Sequence, residues 1–171
     1  MITFCLDTNS ILDFCYRSYP RSMFPSVWDY VDASVLASQI KFVLSTHIHD
    51  EIITQINFRN YDPKVFDKFK SLFKVVVIPI AEYEQHLALI KSKLISITHF
   101  KANTIEKNEN DLTNLCVAQI YNATVITSEQ GSNRSITDNK YRALKIPDTC
   151  HYYGIPCDNW LAVFKHILLS V

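Results

Sequence analysis

Short apolar runs alternate with longer stretches of helical spacing along the whole of this chain. The runs fall at residues 2–6, 41–44, 74–78 and 123–127, with one more near 144–146. Between them, apolar residues recur every three or four positions over 27–40, 46–56, 81–96 and 111–121, and a further helix starts at Pro63. Parallel strands need a crossover of a dozen or more residues, which a helix supplies. The alternation therefore predicts βαβ units and an α/β fold, a three-layer domain whose central β-sheet is mainly parallel.

Local signals sharpen the boundaries. Ser45 or Thr46 suits the N-cap of the helix that follows the second strand, because a hydroxyl can accept from an otherwise unpaired N–H. Pro63 suits a first helical turn, where its missing N–H costs nothing. Phe66, Phe69 and Phe73 share one apolar stripe, and Leu87, Ile90 and Leu94 share another. Residues 13–25 read as irregular, punctuated by Pro20 and Pro25, and 98–110 read as a polar loop. Residues 131–140 read as a polar connection, and 160–169 as a terminal helix. With 171 residues, and neither a repeat nor a linker, the chain reads as one domain. A chain of this size buries roughly 70% of its unfolded surface.

Composition excludes several classes. The N-terminus lacks the basic region and long apolar stretch of a signal peptide. The longest aliphatic run, at 75–80, falls far short of the roughly 20 residues that span a bilayer. No membrane role and a cytoplasmic location are the expectation. Cys5, Cys15, Cys116, Cys150 and Cys157 are scattered without metal-ligand spacing and read as reduced, several of them core residues. Only two glycines are present, so no glycine-rich phosphate cradle exists. His47 and His49 fall on different faces of one helix and form no zinc pair. Lys plus Arg equals Asp plus Glu at 17 each, which argues neither for nor against nucleic acid.

Four acids stand out by position. Asp7 and Glu129 follow directly on apolar runs, and Glu51 and Asp111 lie at or near helix starts. In a parallel sheet the carboxyl ends of the strands converge on one edge, where ligands bind. Carboxylates gathered there repel one another unless a hard cation neutralises them, and oxygen donors suit Mg²⁺ or Mn²⁺. Each acid also has a plain structural reading. Asp7-Thr8-Asn9 is a common turn or cap, Ser128-Glu129 is another, and Asp111 is a good N-cap. Asp50 competes with Glu51, but on a helical wheel Asp50 points away from Ile48 and Ile52 while Glu51 borders their face. Tyr16, Arg17, Tyr19, Arg21, Phe24 and Trp28 form an aromatic and basic segment after the first acid. Its rings read first as packing and second as stacking surfaces for unpaired bases. Arg134, Lys140 and Arg142 read first as solvated charge and second as rim contacts.

The ordered set of motifs resembles the PIN-domain superfamily of metal-dependent nucleases, which includes the VapC-type toxins of toxin–antitoxin systems. The matching residues are Leu6-Asp7-Thr8-Asn9, Glu51, Asp111 with Ala118 in its helix, and Ala123-Thr124-Val125-Ile126-Thr127 before Glu129. A closer resemblance is to a stand-alone PIN-like family known as a domain of unknown function. It rests on Tyr19-Pro20, Phe24-Pro25, Trp28, Thr127-Ser128-Glu129, Lys145-Ile146-Pro147-Asp148 and Gly154-Ile155. One departure is that Glu129 stands where the superfamily usually has an Asp.

The resemblance implies a PIN-like domain in which Asp7, Glu51, Asp111 and Glu129 hold one or two Mg²⁺ or Mn²⁺ ions for endoribonuclease chemistry on single-stranded RNA. Thr8, Asn9, Thr127 and Ser128 would orient the acids, with Arg17, Arg21, Trp28 and Arg134 as candidate RNA or partner contacts. The implied partners are an RNA substrate and a protein antitoxin, with self-association open. Two rivals stay in view. A PIN-like binding module without activity is one. A haloacid-dehalogenase-like phosphatase is the other, although its acid-x-acid signature needs an Asp where this chain has Asn9.

Overall fold

Side chains along β1 (Ile2–Leu6) sort the whole core. Phe4 and Leu6 enter one apolar layer and Cys5 enters the other, all three buried. Successive strand residues point to opposite faces, so a strand buried on both faces sits inside its sheet. In the computed structural model, which describes residues 1–37, 39–132, 134–141 and 143–169, β1 lies between β2 (Ile40–Ser45) and β4 (Thr124–Ile126). With β3 (Val76–Ile78) and β5 (Cys157–Asp158) at the edges, the order is β3-β2-β1-β4-β5 and every pairing is parallel.

Helices cover both faces. One layer holds α1 (Thr8–Leu12), α2 (Pro25–Leu36), α3 (Thr46–Phe58), α4 (Pro63–Leu72) and α9 (Trp160–Leu169). The other holds α5 (Ile80–Ile97), α6 (Ala102–Lys107), α7 (Glu109–Tyr121) and α8 (Ile146–Tyr153). The result is a three-layer α/β domain. No helix among the described residues is long and apolar enough to cross a membrane. All five cysteines are free thiols, four of them buried.

Capping explains where α3 and α4 start. Ser45 Oγ accepts from Ile48 N at 3.1 Å, and Asp62 does the same for Lys64 N at 3.0 Å, with Pro63 in the first turn. Ser45 Oγ also lies 2.6 Å from Thr113 Oγ1, whose own proton goes to the Asn110 carbonyl at 2.7 Å. Ser45 must therefore be the donor to Thr113, so one hydroxyl starts α3 and ties it to α7. Ser45→Ala should lower stability by about 1–2 kcal/mol, the cost of a lost cap, read as a shift in the denaturant midpoint. An unchanged midpoint would deny the hydroxyl this role.

Several expectations need correction. Residues 98–110 are not a loop, because α6 and the first turn of α7 lie there. One fully buried side chain, Ile105, anchors α6, so its sequence has no apolar stripe to see. No strand forms at 144–146. Leu144 and Ile146 are apolar because they pack into the second layer, and Ile146 opens α8. The last strand is the two-residue β5, too short to leave a period. The helix expected over 27–40 runs from Pro25 to Leu36, and Ile40 already belongs to β2. Residues 13–17, expected to be irregular, form a π-helical turn that continues α1.

Trp28 is corrected as well. It is 1% exposed and cannot touch RNA or a partner. Its indole N–H donates to the Tyr19 carbonyl at 2.8 Å, and its ring packs on Phe14 and Phe73 with centroids 5.0 and 5.4 Å away. Phe14 in turn lies 4.3 Å from Trp160, so the segment after the first acid anchors the first layer.

Candidate active site

All five parallel strands end at one edge of the sheet. The chain leaves β1 in one direction through β2 and β3, and in the other through β4 and β5. The crevice between β1 and β4 is thus the topological switch point, where open α/β sheets bind ligands. Asp7 and Thr127 are the first residues beyond those two strands. Asp7 N donates to the Ile126 carbonyl at 3.0 Å, and Thr127 N to that of Asp158 at 2.9 Å. Sheet hydrogen bonding therefore fixes both backbones.

The Thr127 hydroxyl donates to Asp7 Oδ2 at 3.0 Å, and Asp7 is 2% exposed. Glu51, half-buried in α3, accepts at Oε2 from the Thr8 hydroxyl at 2.8 Å. Its neighbour Asp50 is largely exposed, so the helical wheel distinguished the two acids correctly. Asp111 sits half-buried in the first turn of α7. Glu129 donates its backbone N–H to Thr127 Oγ1 at 3.1 Å and accepts at Oε2 from Ile146 N at 2.7 Å. That last bond spends one of its oxygens on the start of α8.

Electrostatics show that these four carboxylates share one field. The Asp7 carboxyl is pushed up to about 7, first by burial and then by the charges of Glu51 and Glu129, against the lowering effect of the Thr127 and Thr8 hydrogen bonds. Asp111 is also pushed up to about 7, first by burial and then by Asp7, Glu129 and Glu51. Like charges close together in a site of reduced solvation disfavour each other's ionisation. The fold thus brings together all four acids from residues 7 to 129.

The flanking residues divide. Thr8 and Thr127 bond to the acids as above, whereas Asn9 and Ser128 are exposed and bond to none of them. Arg17 pairs with Asp13 at 3.1 Å and Arg21 with Asp29 at 3.7 Å, both away from the four acids in these contacts. Arg142 lies outside the described residues. Glu109, two residues before Asp111, is neutralised by Lys91 at 2.7 Å and lies 3.7 Å from His47 Nε2.

One acid of the Lys145-Ile146-Pro147-Asp148 motif has a structural role that its sequence context does not spell out. Asp148, in the first turn of α8, accepts from Ser132 N, the Ser132 hydroxyl and the Tyr141 hydroxyl at 2.7–3.0 Å. The adjacent Pro147, a marker of helix starts, was the available signal.

The donor set suits a hard divalent cation, since it consists of carboxylate oxygens alone. Among the described residues, however, no three His, Cys, Asp or Glu side chains form a ready metal-holding group. Three of the four acids have one oxygen engaged elsewhere, Asp7 with Thr127, Glu51 with Thr8 and Glu129 with Ile146.

Residues 4–169 match the model of a family described as "Domain of unknown function (DUF4411)". No curated protein matches the chain. Since the match extends over nearly the full length, the chain belongs to the DUF4411 family.

Proposed function

We propose that this protein is a PIN-like, metal-dependent endoribonuclease that hydrolyses phosphodiesters in single-stranded RNA, and that it is the toxin of a toxin–antitoxin pair. The observation that carries the reading is that burial, together with the charges of Glu51 and Glu129, raises the carboxyls of Asp7 and Asp111 at the switch-point crevice. A fold that holds acids at a cost in desolvation and charge repulsion regains part of that free energy when a cation binds them. Oxygen-only donors favour Mg²⁺ or Mn²⁺. When bound, such an ion supplies an activated water and stabilises charge on the phosphate oxygens.

The chain's own residues set up that chemistry. The Thr127 hydroxyl holds one oxygen of Asp7, and the Thr8 hydroxyl holds one oxygen of Glu51, which limits how either carboxylate can rotate. Sheet hydrogen bonds at Asp7 N and Thr127 N hold the two strand ends against each other.

A second reading has its own observation. The engagement of Glu129 with Ile146 N favours a PIN-like module that binds RNA or protein without cutting. Incubation with unstructured RNA in Mg²⁺ or Mn²⁺ separates the two. Cleavage that a chelator stops, and that Asp7→Asn lacks, supports the nuclease, whereas binding without cleavage supports the module. The toxin assignment has a separate test. Expression of the chain alone should slow growth, and co-expression of an antitoxin should restore it. Equal harmlessness of wild type and Asp7→Asn at matched levels sinks the toxin reading.

A further inference from the structure

Between Glu129 and the start of α8, the side chains of Arg134, Lys140 and Lys145 carry positive charge that no carboxylate among the described residues pairs with. Arg134, Lys140 and Lys145 line one hollow of about 340 Å³, and no acid lines it with them. None of the three forms an ion pair among the described residues. The chain as a whole is neutral, with 17 cations and 17 anions, so this local surplus is not a by-product of basic composition.

Solvated surface charge on a loose loop is the ordinary explanation, and the packing argues against it. Ile136, Tyr141 and Leu144 are buried in the second layer. The two oxygens of Asp148 gather Ser132 and Tyr141, and Tyr141 Oη accepts from Lys145 N at 2.9 Å. Gly131 passes so near that a Cβ there would lie 2.8 Å from Asp148 Oδ1. The Lys145 ammonium donates to the Gln130 carbonyl at 2.9 Å. The cations therefore stand on a frame bonded to α8.

That frame also touches the acid site. Glu129 bonds to Ile146 N, the residue after Lys145. On its other side, Arg134 lines a second hollow of about 760 Å³ together with His151 and Tyr152. Tyr152 is 37% exposed, and the Lys93 ammonium lies 5.5 Å from its ring centre.

We propose that the Arg134–Lys140–Lys145 hollow binds a backbone phosphate of single-stranded RNA beside the bond held at the four acids, and that the Tyr152 hollow receives a base of the same strand. The assignment rests on the nuclease reading for its direction but not for its test. Four carboxylates repel a polyanion, and cations next to them supply the countercharge that draws the strand across. An exposed ring offers a stacking surface that accepts any base.

The test uses the full chain, a labelled unstructured oligoribonucleotide and a chelator, with affinity measured over a range of salt concentrations. Each phosphate contact contributes about 0.7 to the slope of log affinity against log salt for a single strand. Arg134→Ala combined with Lys140→Ala should therefore bind more weakly and flatten that slope by up to about 0.7, the share of one phosphate. Tyr152→Leu should weaken binding by about fivefold or more and leave the slope alone. Melting temperatures near wild type confirm that the variants fold.

An unchanged slope and affinity in the double variant, or no wild-type binding at low salt, overturns the subsite. Displacement of the strand by inorganic phosphate as readily as by unlabelled strand overturns a polynucleotide occupant. Parallel cleavage assays with metal separate this proposal from the one it rests on. Cleavage with an unchanged slope in the double variant removes the subsite and spares the nuclease. A flattened slope without wild-type cleavage removes the nuclease and retains the surface as a binding site.

Discussion

Asp7→Asn should remove metal-dependent RNA cleavage while the protein still folds. Asp7 is the most buried of the four acids and stands at the end of the central strand. Its loss would take away a formal charge and a metal-binding oxygen together, weakening both water activation and charge stabilisation. Losing only an outer hydrogen-bond partner of a metal ligand costs roughly 10- to 100-fold, so losing the ligand itself should exceed that. Asn keeps an oxygen to accept from Thr127, so the local hydrogen bond to Oδ2 has a replacement. Asp111→Asn should act in the same direction. The measurement is initial cleavage rate with saturating Mn²⁺, beside a melting curve. A variant that melts like wild type and cuts at the wild-type rate rules out Asp7 as a ligand.

The residues that made this site legible in sequence are those whose signals are local. Strand β1 has its bounds at Ile2 and Leu6 because the apolar run stops at a charged residue. Ser45 and Pro63 mark their helices because capping and the missing proline N–H act within one turn. Glu51 separates from Asp50 because the helical period alone distinguishes their faces. Other features depend on distant partners. Ile105 is a core residue only because α5 and α7 enclose it, and β5 is a strand only because β4 pairs with it. The rings of residues 16–28 have the same composition whether they stack on bases or on Phe14 and Trp160, so only the fold decides for Trp28. The shared field of the four acids is of this kind too. Their positions at element ends were visible, but the burial that drives Asp7 and Asp111 up was not.

In the absence of divalent cations, the protein should be more stable near pH 5 than near pH 8. Asp7 and Asp111 each have an ordinary value of 3.8 and are raised to about 7 in the fold. Between those limits the folded state holds protons that the unfolded chain has released. Stability changes with pH in proportion to protons bound unfolded minus protons bound folded, and here that difference is negative. Stability is thus fully present below the unfolded value, falls as pH rises toward 7 and levels off above it. At about 1.4 kcal/mol per unit, the loss is on the order of a few kcal/mol. Asp7→Asn removes part of that loss, so this variant should be the more stable protein at pH 8, with the advantage shrinking toward pH 4. Adding Mg²⁺ or Mn²⁺ should raise wild-type stability most at high pH, because the cation binds the deprotonated acids. Melting temperatures of both proteins in chelator from pH 5 to 8 measure the effect. A wild-type melting temperature that climbs over this range, or an Asp7→Asn profile identical to it, contradicts the raised carboxyls of Asp7 and Asp111 and removes the main support for a metal at this site.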